Sequence, residues 1–412
     1  MEDNKNNENK YQYKTKENYS LINKEKVSEA QRKNTKQQKS IFYSVDLNYY
    51  KYYDEYYKEY RGIYYIIIPK DYLENKEQLI KEKNDIFTKG KILRFSSGND
   101  FSFDAIVENS EEDPNKKNTF YAYLIPIKDK HRFYNKNLIK KYIVKERSGD
   151  LTYERMSDAI DVFLEENCCS QNLENYILGN PVNNAYKKFN KIFNYNIPYF
   201  NAINNFADFT RRQENEIQKI FYQEISTINI SKNSDNNIIC LIINAIYQCR
   251  KNIKDKILIC SSSNLVADSI SIDLLRMNEC IMNKLNILRI YAKNQEIIKR
   301  NKKLNPISLH KLMKKKFRRK FYDRKQKKKW LINKNDIIIS TCVNSYCDDI
   351  INNKFPFVII IDANNSNENE NLIPITLNTK HVLLISYEGS DNGEINLYKR
   401  IKNLYPKNHC EI

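Results

Sequence analysis

Glycine is scarce in this chain. Only seven occur in 412 residues, and none lies between Gly179 and Gly389. A phosphate-cradling loop needs glycines, because a backbone without Cβ can close its N–H groups around an anion. That span therefore has no Gly-rich phosphate loop. The nine Cys are scattered and never spaced C-x-x-C, and the four His lie far apart. This argues against a zinc site and suits reduced thiols in a nucleocytoplasmic compartment. No apolar run approaches the roughly 20 residues that span a bilayer, and "MEDNKNNENK" lacks the apolar core of a signal peptide. The expectation is a cytoplasmic chain with no membrane partner, the nucleus being the alternative.

Basic charge is plentiful. The formal net charge is +18, which favours polyanionic partners through release of counterions from phosphates. Lys, Asn, Ile and Tyr are inflated together, a pattern that AT-rich codon usage also produces, so the placement of charge matters more than its total. Residues 1–40 are polar and Asn/Lys-rich, too poor in apolar surface to offset ordering entropy, and read as a disordered tail. The Tyr-dense "YYKYYDEYYKEY", Tyr49 to Tyr60, has aromatics three or four apart, which predicts a helix face packed in a core, with base stacking as the alternative.

From Arg61 to about Glu146, short β runs separated by polar turns suggest a small antiparallel barrel or sheet. "LTYERMSDAIDVFLEE" then predicts an amphipathic helix, with Tyr153, Met156, Ala159, Ile160, Phe163 and Leu164 on its apolar stripe. Barrel and stalk helices are assigned to residues 41–200. Beyond Phe209, strands alternate with helices: "ISTINI", "KILIC", "NILRIYA", "DIIIS", "FVIIID" and "HVLLIS". That rhythm implies an α/β fold with a parallel sheet covered on both faces. Ligands in such folds sit outside the carboxyl ends of the strands, where "SKNSDNN", "SSSN", "STCV" and "DANN" fall.

Those four loops, in that order, resemble motifs I, Ia, Ic and II of superfamily 1 helicases, and most of all the up-frameshift family of RNA helicases. "RRQENEIQKIF" resembles the family's Q motif, with Gln213 in the adenine-reading place. "ILICSSSNLVADSI" resembles motif Ia, with Ser263, Asn264 and Asp268 matching. "LRIYAKNQE", "DIIISTCV" and "LIPITLNTKHVLLIS" follow the family's spacing, and "KERSGDLTYERMSDAIDVF" resembles the helix joining its small β-barrel to its motor. The resemblance covers roughly Arg61 to Gly393. It implies a first RecA-like domain over residues 201–412, with a short basic helical insertion at about 303–332, and no second RecA-like domain before the chain ends.

The same comparison shows what is missing. In the P-loop place, "SKNSDNNI", Asn237 and Ile238 stand where the family has Lys and Ser/Thr. Asp362 keeps the Mg²⁺-organising carboxylate of motif II, but Ala363 replaces the Glu that positions water. Removing such groups costs roughly 10²–10⁵ in rate each. Gln213, Asn237, Ile238 and Asp362 are therefore read as vestigial nucleotide-site residues, with no catalytic residue, no metal, and neither ATP nor Mg²⁺ expected as cofactor. Asp362 also reads as a strand-end carboxylate capping the next turn.

Nucleic-acid contacts in the family do not need the P-loop. Ser263, Asn264 and Thr341 retain groups that could position phosphates, although Ser263 or Asn264 equally suits a helix N-cap. In "KLMKKKFRRKFYDRKQKKKW", twelve of the nineteen residues from Lys311 to Lys329 are Lys or Arg, with aromatics between them. Lys314, Lys315, Arg318, Arg319, Lys327 and Lys328 are the candidate phosphate contacts; a localisation signal or a solvated helix face are the alternatives. The family's zinc domain, which docks a partner, has no counterpart, since the first Cys is Cys168. The expected partner is single-stranded RNA, bound without hydrolysis or unwinding, with mRNA-decay proteins in attendance and mRNA surveillance as the setting. A protein-interaction scaffold in an RNA-decay assembly, and half of a helicase completed by another chain, are the alternatives.

Overall fold

The computed structural model describes residues 12–37, 44–54, 59–69, 91–97, 101–112, 119–126, 141–146, 150–165, 167–182, 193, 209–231, 237–296, 301–315, 324–389, 393 and 395–412. These divide into two compact units. One holds residues 1–28, 152–291 and 301–412; the other holds residues 29–151 and 292–300.

The chain enters through helix α1, Lys16–Gln37. The disordered tail expected over residues 1–40 is therefore corrected at residues 16–37; residues 1–11 and 38–40 lie outside the described residues. Residues 16–28 of this helix bring Tyr19 and Val27 to full or near-full burial. Tyr19 packs at 5.0 Å on the Phe163 ring, and Tyr13 N–H donates to the Leu178 carbonyl at 2.8 Å. A few well-placed apolar anchors outweighed a polar average, because burial energy is collected side chain by side chain.

The second unit is a closed six-stranded antiparallel barrel. Its strands are β1 (Ser44–Asp54), β2 (Glu59–Pro69), β3 (Ile92–Ser97), β4 (Phe101–Glu112), β5 (Thr119–Pro126) and β6 (Lys141–Glu146), in the order β1-β2-β5-β4-β3-β6. The described residues of the Tyr-dense segment, expected as a helix, lie instead on β1 and the start of β2, with Tyr50 opposite Ile63 and Tyr52 opposite Arg61. Tyrosine is a strong strand former, and pairing with "YYIIIP" decided between two periods that short Tyr pairs fit equally.

In the first unit, α2 (Asp150–Leu164) buries Met156, Ala159, Ile160 and Phe163 as its spacing predicts, whereas Tyr153 is only half-buried and Leu164, at the helix end, is exposed. Helix α3 (Gln171–Leu178) starts at Ser170, whose side chain accepts from Leu173 N–H. It ends at Gly179, whose φ of 79° is the left-handed conformation that closes a helix most easily with glycine.

After α4 (Arg211–Gln218) the sheet builds through β7 (Ile225–Ile230), α5 (Asn237–Cys249), β8 (Ile257–Ser261), α6 (Asn264–Cys280), β9 (Ile287–Arg289), α7 (Leu309–Lys314), α8 (Arg324–Lys334), β10 (Ile337–Thr341), α9 (Asp348–Ile351), β11 (Phe357–Ile361), α10 (Glu368–Ile375), β12 (His381–Tyr387), α11 (Leu397–Leu404) and β13 (His409–Glu411). Seven strands run parallel in the order β13-β7-β12-β11-β8-β10-β9. Successive side chains leave opposite faces of a strand, and two cores result. Leu258, Ile338, Val358, Ile360 and Leu384 face one core with α2, α3, α10 and α11. Ile259, Ile339, Phe357, Ile359 and Leu383 face the other with α5 and α6. This is the α/β architecture of a RecA-like domain. Among the described residues no helix is long and apolar enough to cross a membrane.

Candidate functional site

The carboxyl ends of β7, β12, β11, β8 and β10 lie along one edge of the sheet, which places the loop residues singled out above side by side. Ser262, Asp362 and Thr341 each follow or end a neighbouring strand; Ser261 is registered with both Thr341 and Ile361.

Asp362 terminates β11 in a left-handed conformation, φ 62° and ψ 37°. Asp and Asn tolerate this region better than most residues with a Cβ. Its carboxylate accepts from Ser262 Oγ at 3.2 Å and from Asn365 Nδ2 at 2.8 Å. Burial pushes the carboxyl above its ordinary range, and these two hydrogen bonds oppose the shift. Beside it Tyr387, at the end of β12, is pushed up to about 12 by burial and then by the Asp362 carboxylate. Asp362 stands at the strand end as expected, but its carboxylate caps no backbone N–H of the next turn; the turn Ala363–Asn365 is closed by Asn365 N–H donating to the Asp362 carbonyl at 3.1 Å.

Ala363 is fully buried within the apolar cluster, and its carbonyl accepts from Asn371 Nδ2 at 3.0 Å. Residues 232–236 of the P-loop place fall outside the described residues. Asn237 opens α5, and Ile238 packs its half-buried side chain on the apolar core beneath the sheet. Gln213 completes a capping box: Thr210 N–H and Oγ–H donate to its side-chain carbonyl at 2.9 and 3.0 Å, and Gln213 N–H returns a bond to Thr210 Oγ at 3.3 Å. That carbonyl serves the start of α4.

The motif Ia residues have structural partners too. Ser263 is the N-cap of α6, its Oγ accepting from Val266 N–H at 3.3 Å. Asn264 and Asp268, one helical turn apart, both grip Arg289 at the end of β9. Arg289 Nη2 donates to Asn264 Oδ1 at 2.8 Å, and Nε donates to Asp268 Oδ1 at 2.9 Å. Arg289 is fully buried, lies 4.1 Å over the Tyr291 ring, and shares Asp268 with the Tyr291 hydroxyl at 2.8 Å. Sequence reasoning missed Arg289. The signal was there: one Arg inside an apolar strand must be paired when buried. Thr341 Oγ accepts from Asn344 N–H at 3.4 Å.

The basic segment does not join this edge as a set of equivalent charges. Lys327 Nζ donates to the carbonyls of Met313 and Lys315, both at 2.6 Å, and so closes the end of α7. Lys328 pairs with Asp349 at 2.7 Å. Lys314 lies in the last turn of α7 and Lys315 caps it, both exposed. Arg318 and Arg319 lie outside the described residues. At the other end of the segment, Lys256 at the start of β8 donates to the carbonyls of Ile332 and Asn333 at 3.0 and 3.2 Å, so α8 finishes at the amino edge of the sheet. Among the described residues no group of three or more His, Cys, Asp or Glu could hold a metal ion.

Parts of the chain are similar to known proteins. An AAA domain matches residues 307–385, from the start of α7 through most of β12. The ATP-dependent helicase NAM7 of Saccharomyces cerevisiae is 25% identical over 257 residues, covering 57% of this chain and 25% of that protein. The chain thus spans about a quarter of the length of the relative it matches. With the parallel sheet and its strand-end loops, these matches support an up-frameshift-like superfamily 1 helicase family for this chain.

Proposed function

We propose that this chain is a helicase-like module that binds single-stranded RNA without hydrolysing ATP, in the setting of mRNA surveillance. The observation that carries the reading is the pair Asp362–Ala363 at the end of β11. The carboxylate is turned onto Ser262 and Asn365, and the place of a water-positioning Glu is an alanine inside the apolar core. Ile238, packed in the opposite core where a Mg²⁺-binding hydroxyl belongs, supports the same reading. These donors do not fit Mg-ATP in the manner of a P-loop enzyme, which needs a Lys, a hydroxyl and a second carboxylate around the phosphates. No hydrolytic step is derived through them.

RNA contact rests on the net charge of +18 and on the carboxyl edge of the sheet, where the Ser263 and Thr341 hydroxyls and the first turn of α6 lie together. Lys314 and Lys315 add exposed charge. One observation favours a protein scaffold as the second reading: Lys327 and Lys328 are engaged by acceptors of the chain itself.

Binding of the purified chain to a labelled single-stranded oligonucleotide across a salt series, with and without Mg-ATP, separates the readings. RNA binding predicts affinity that falls steeply with salt, with a slope near −0.7 per phosphate contacted, unchanged by Mg-ATP and with no phosphate released. Absence of binding at low salt would leave the scaffold reading, and turnover of ATP would overturn both.

A further inference from the structure

Two adjacent cysteines, Cys168 and Cys169, occupy the turn between α2 and α3 with their sulfurs 3.8 Å apart. The turn is held on both sides. The Cys168 carbonyl accepts from Asn378 N–H at 2.9 Å, Ser170 N–H donates to the Thr379 carbonyl at 3.0 Å, and Cys169 forms a bridge with Thr379. Asn167, just before the pair, adopts a φ of 67°. Cys168 is buried, with its thiol directed at the Phe163 carbonyl at 3.9 Å. Cys169 is half-buried and gives the pair its access to solvent.

Direct oxidation suits this geometry poorly. Neighbouring Cα atoms are about 3.8 Å apart across a trans peptide, whereas disulfides usually join Cα atoms about 4.4–6.8 Å apart. A single soft atom bonded to both sulfurs suits it better. With bonds of about 2.3 Å, the length of a Zn–S bond, two sulfurs at this separation subtend roughly 110° at the bridging atom. That angle is open to a tetrahedral or pyramidal centre. Metal ions that demand three or four protein ligands find no further cluster among the described residues, so a centre satisfied by two thiolates is the better match.

We propose that Cys168 and Cys169 form a chelating dithiol site for trivalent arsenicals. With an aryl arsenoxide the reaction balances without any redox change. Two As–S bonds form, the As–O bonds break, and the two thiol protons leave with the oxygen as one water. Monothiols compete poorly for such a centre, because the second As–S bond closes intramolecularly at high effective concentration.

The test uses the reduced full chain under native conditions, treated with phenylarsine oxide and weighed intact. One phenylarsenic group per chain is expected, removed by dimercaptopropanol and resistant to glutathione. Peptide mapping of the unsubstituted chain should place it on the Cys168–Cys169 peptide, a result that needs no variant to fold. Cys168→Ser and Cys169→Ser should each lose the adduct. Cys260 and Cys342 are neighbouring thiols in the core, both essentially unexposed, and serve as the internal control. An adduct mapping to that pair, an adduct that survives Cys169→Ser, or uptake only after denaturation would each overturn the proposal.

Discussion

Arg400 and Glu368 meet inside the protein as a two-point ion pair: Nη2 to Oε1 at 2.9 Å and Nε to Oε2 at 3.1 Å, with the two side chains 1% and 5% exposed. Arg400 on α11 also donates to the Ile177 carbonyl at the end of α3 and lies 4.6 Å over the Tyr13 ring. The Tyr13 hydroxyl donates to Glu368 Oε2 at 3.4 Å. One guanidinium thus ties three helices to the segment that leads into α1.

Removing one member of such a pair strands the other, which is costlier than losing the attraction itself. Arg400→Met or Glu368→Leu should each lower unfolding free energy by about 3–5 kcal/mol, and the double variant by less than their sum. Urea denaturation of the three variants checks the non-additivity. Additive losses would mean that the two side chains act independently.

The Arg289 clasp makes a separate prediction. Arg289→Lys keeps the charge but cannot reach Asn264 and Asp268 with a planar fork. It should destabilise by about 1–3 kcal/mol and loosen the first turns of α6. If RNA runs along the carboxyl edge of the sheet, its affinity should fall in the same variant. Amide exchange at Val266 and Ala267, together with oligonucleotide binding, reads both effects. Unchanged exchange would remove the clasp from the account of that edge.

His381 supplies a pH dependence. Its ring is fully buried, Nε2–H donates to the Ile220 carbonyl at 3.1 Å, and the ring edge packs on Phe193. Burial pushes the imidazole down to about 4, partly offset by that hydrogen bond. An unfolded His titrates near 6.5, so between about 4 and 6.5 the unfolded chain binds the extra proton. Stability from this group is therefore full above pH 6.5 and declines as pH falls toward 4, by about 3 kcal/mol at most. His381→Gln should flatten the slope of the urea midpoint between pH 7 and pH 5. A slope identical to that of the unsubstituted chain would assign the dependence elsewhere.

Much of the sheet was legible in the sequence because its strands are runs of β-branched residues that alternate with helices. "FVIII" and "DIIIS" could only be buried strands. The Tyr-dense segment was not legible, because Tyr pairs fit a helical or a strand period and the deciding partner is the neighbouring strand β2. The first forty residues misled through their average, while Tyr19 and Val27 acted individually. At the site, the strand-end position of Asp362 and the N-cap role of Ser263 followed from residue type and place. The roles of Asn264 and Lys327 did not, because each depends on a partner that only the folded chain brings near: Arg289 and the end of α7. The Thr210–Gln213 capping box is a local T-x-x-Q pattern that the sequence did display.

Ala363 offers a test of whether the catalytic place could be refilled. Its side chain is fully buried among apolar neighbours. Ala363→Glu would force a carboxylate into that core, where an unpaired charge is strongly disfavoured. The variant should lose several kcal/mol of stability and gain no ATP turnover. Thermal denaturation and phosphate release measure the two outcomes; a stable variant that hydrolyses ATP would reverse the proposed function.

The basic segment divides into charges that hold the fold and charges exposed to solvent. Lys327 closes α7 through two backbone carbonyls and Lys328 pairs with Asp349, so Lys327→Ala and Lys328→Ala should act mainly on stability. A helix-end cation is worth about 0.3–1 kcal/mol, and a partly exposed pair little more. Lys314 and Lys315 are exposed at the end of α7 and should act on binding instead. Replacing both with Gln should leave the unfolding free energy from urea denaturation within about 0.5 kcal/mol of the original. It should also make the salt dependence of oligonucleotide affinity shallower, by about 0.7 for each phosphate that is no longer neutralised. If the Lys327 and Lys328 variants were the ones to flatten the salt slope while folding normally, those side chains would have to leave their carbonyl and carboxylate partners on binding. The segment would then rearrange around RNA. If no variant alters the slope, the basic segment is a solvated helix pair and any RNA contact belongs to the strand-end loops.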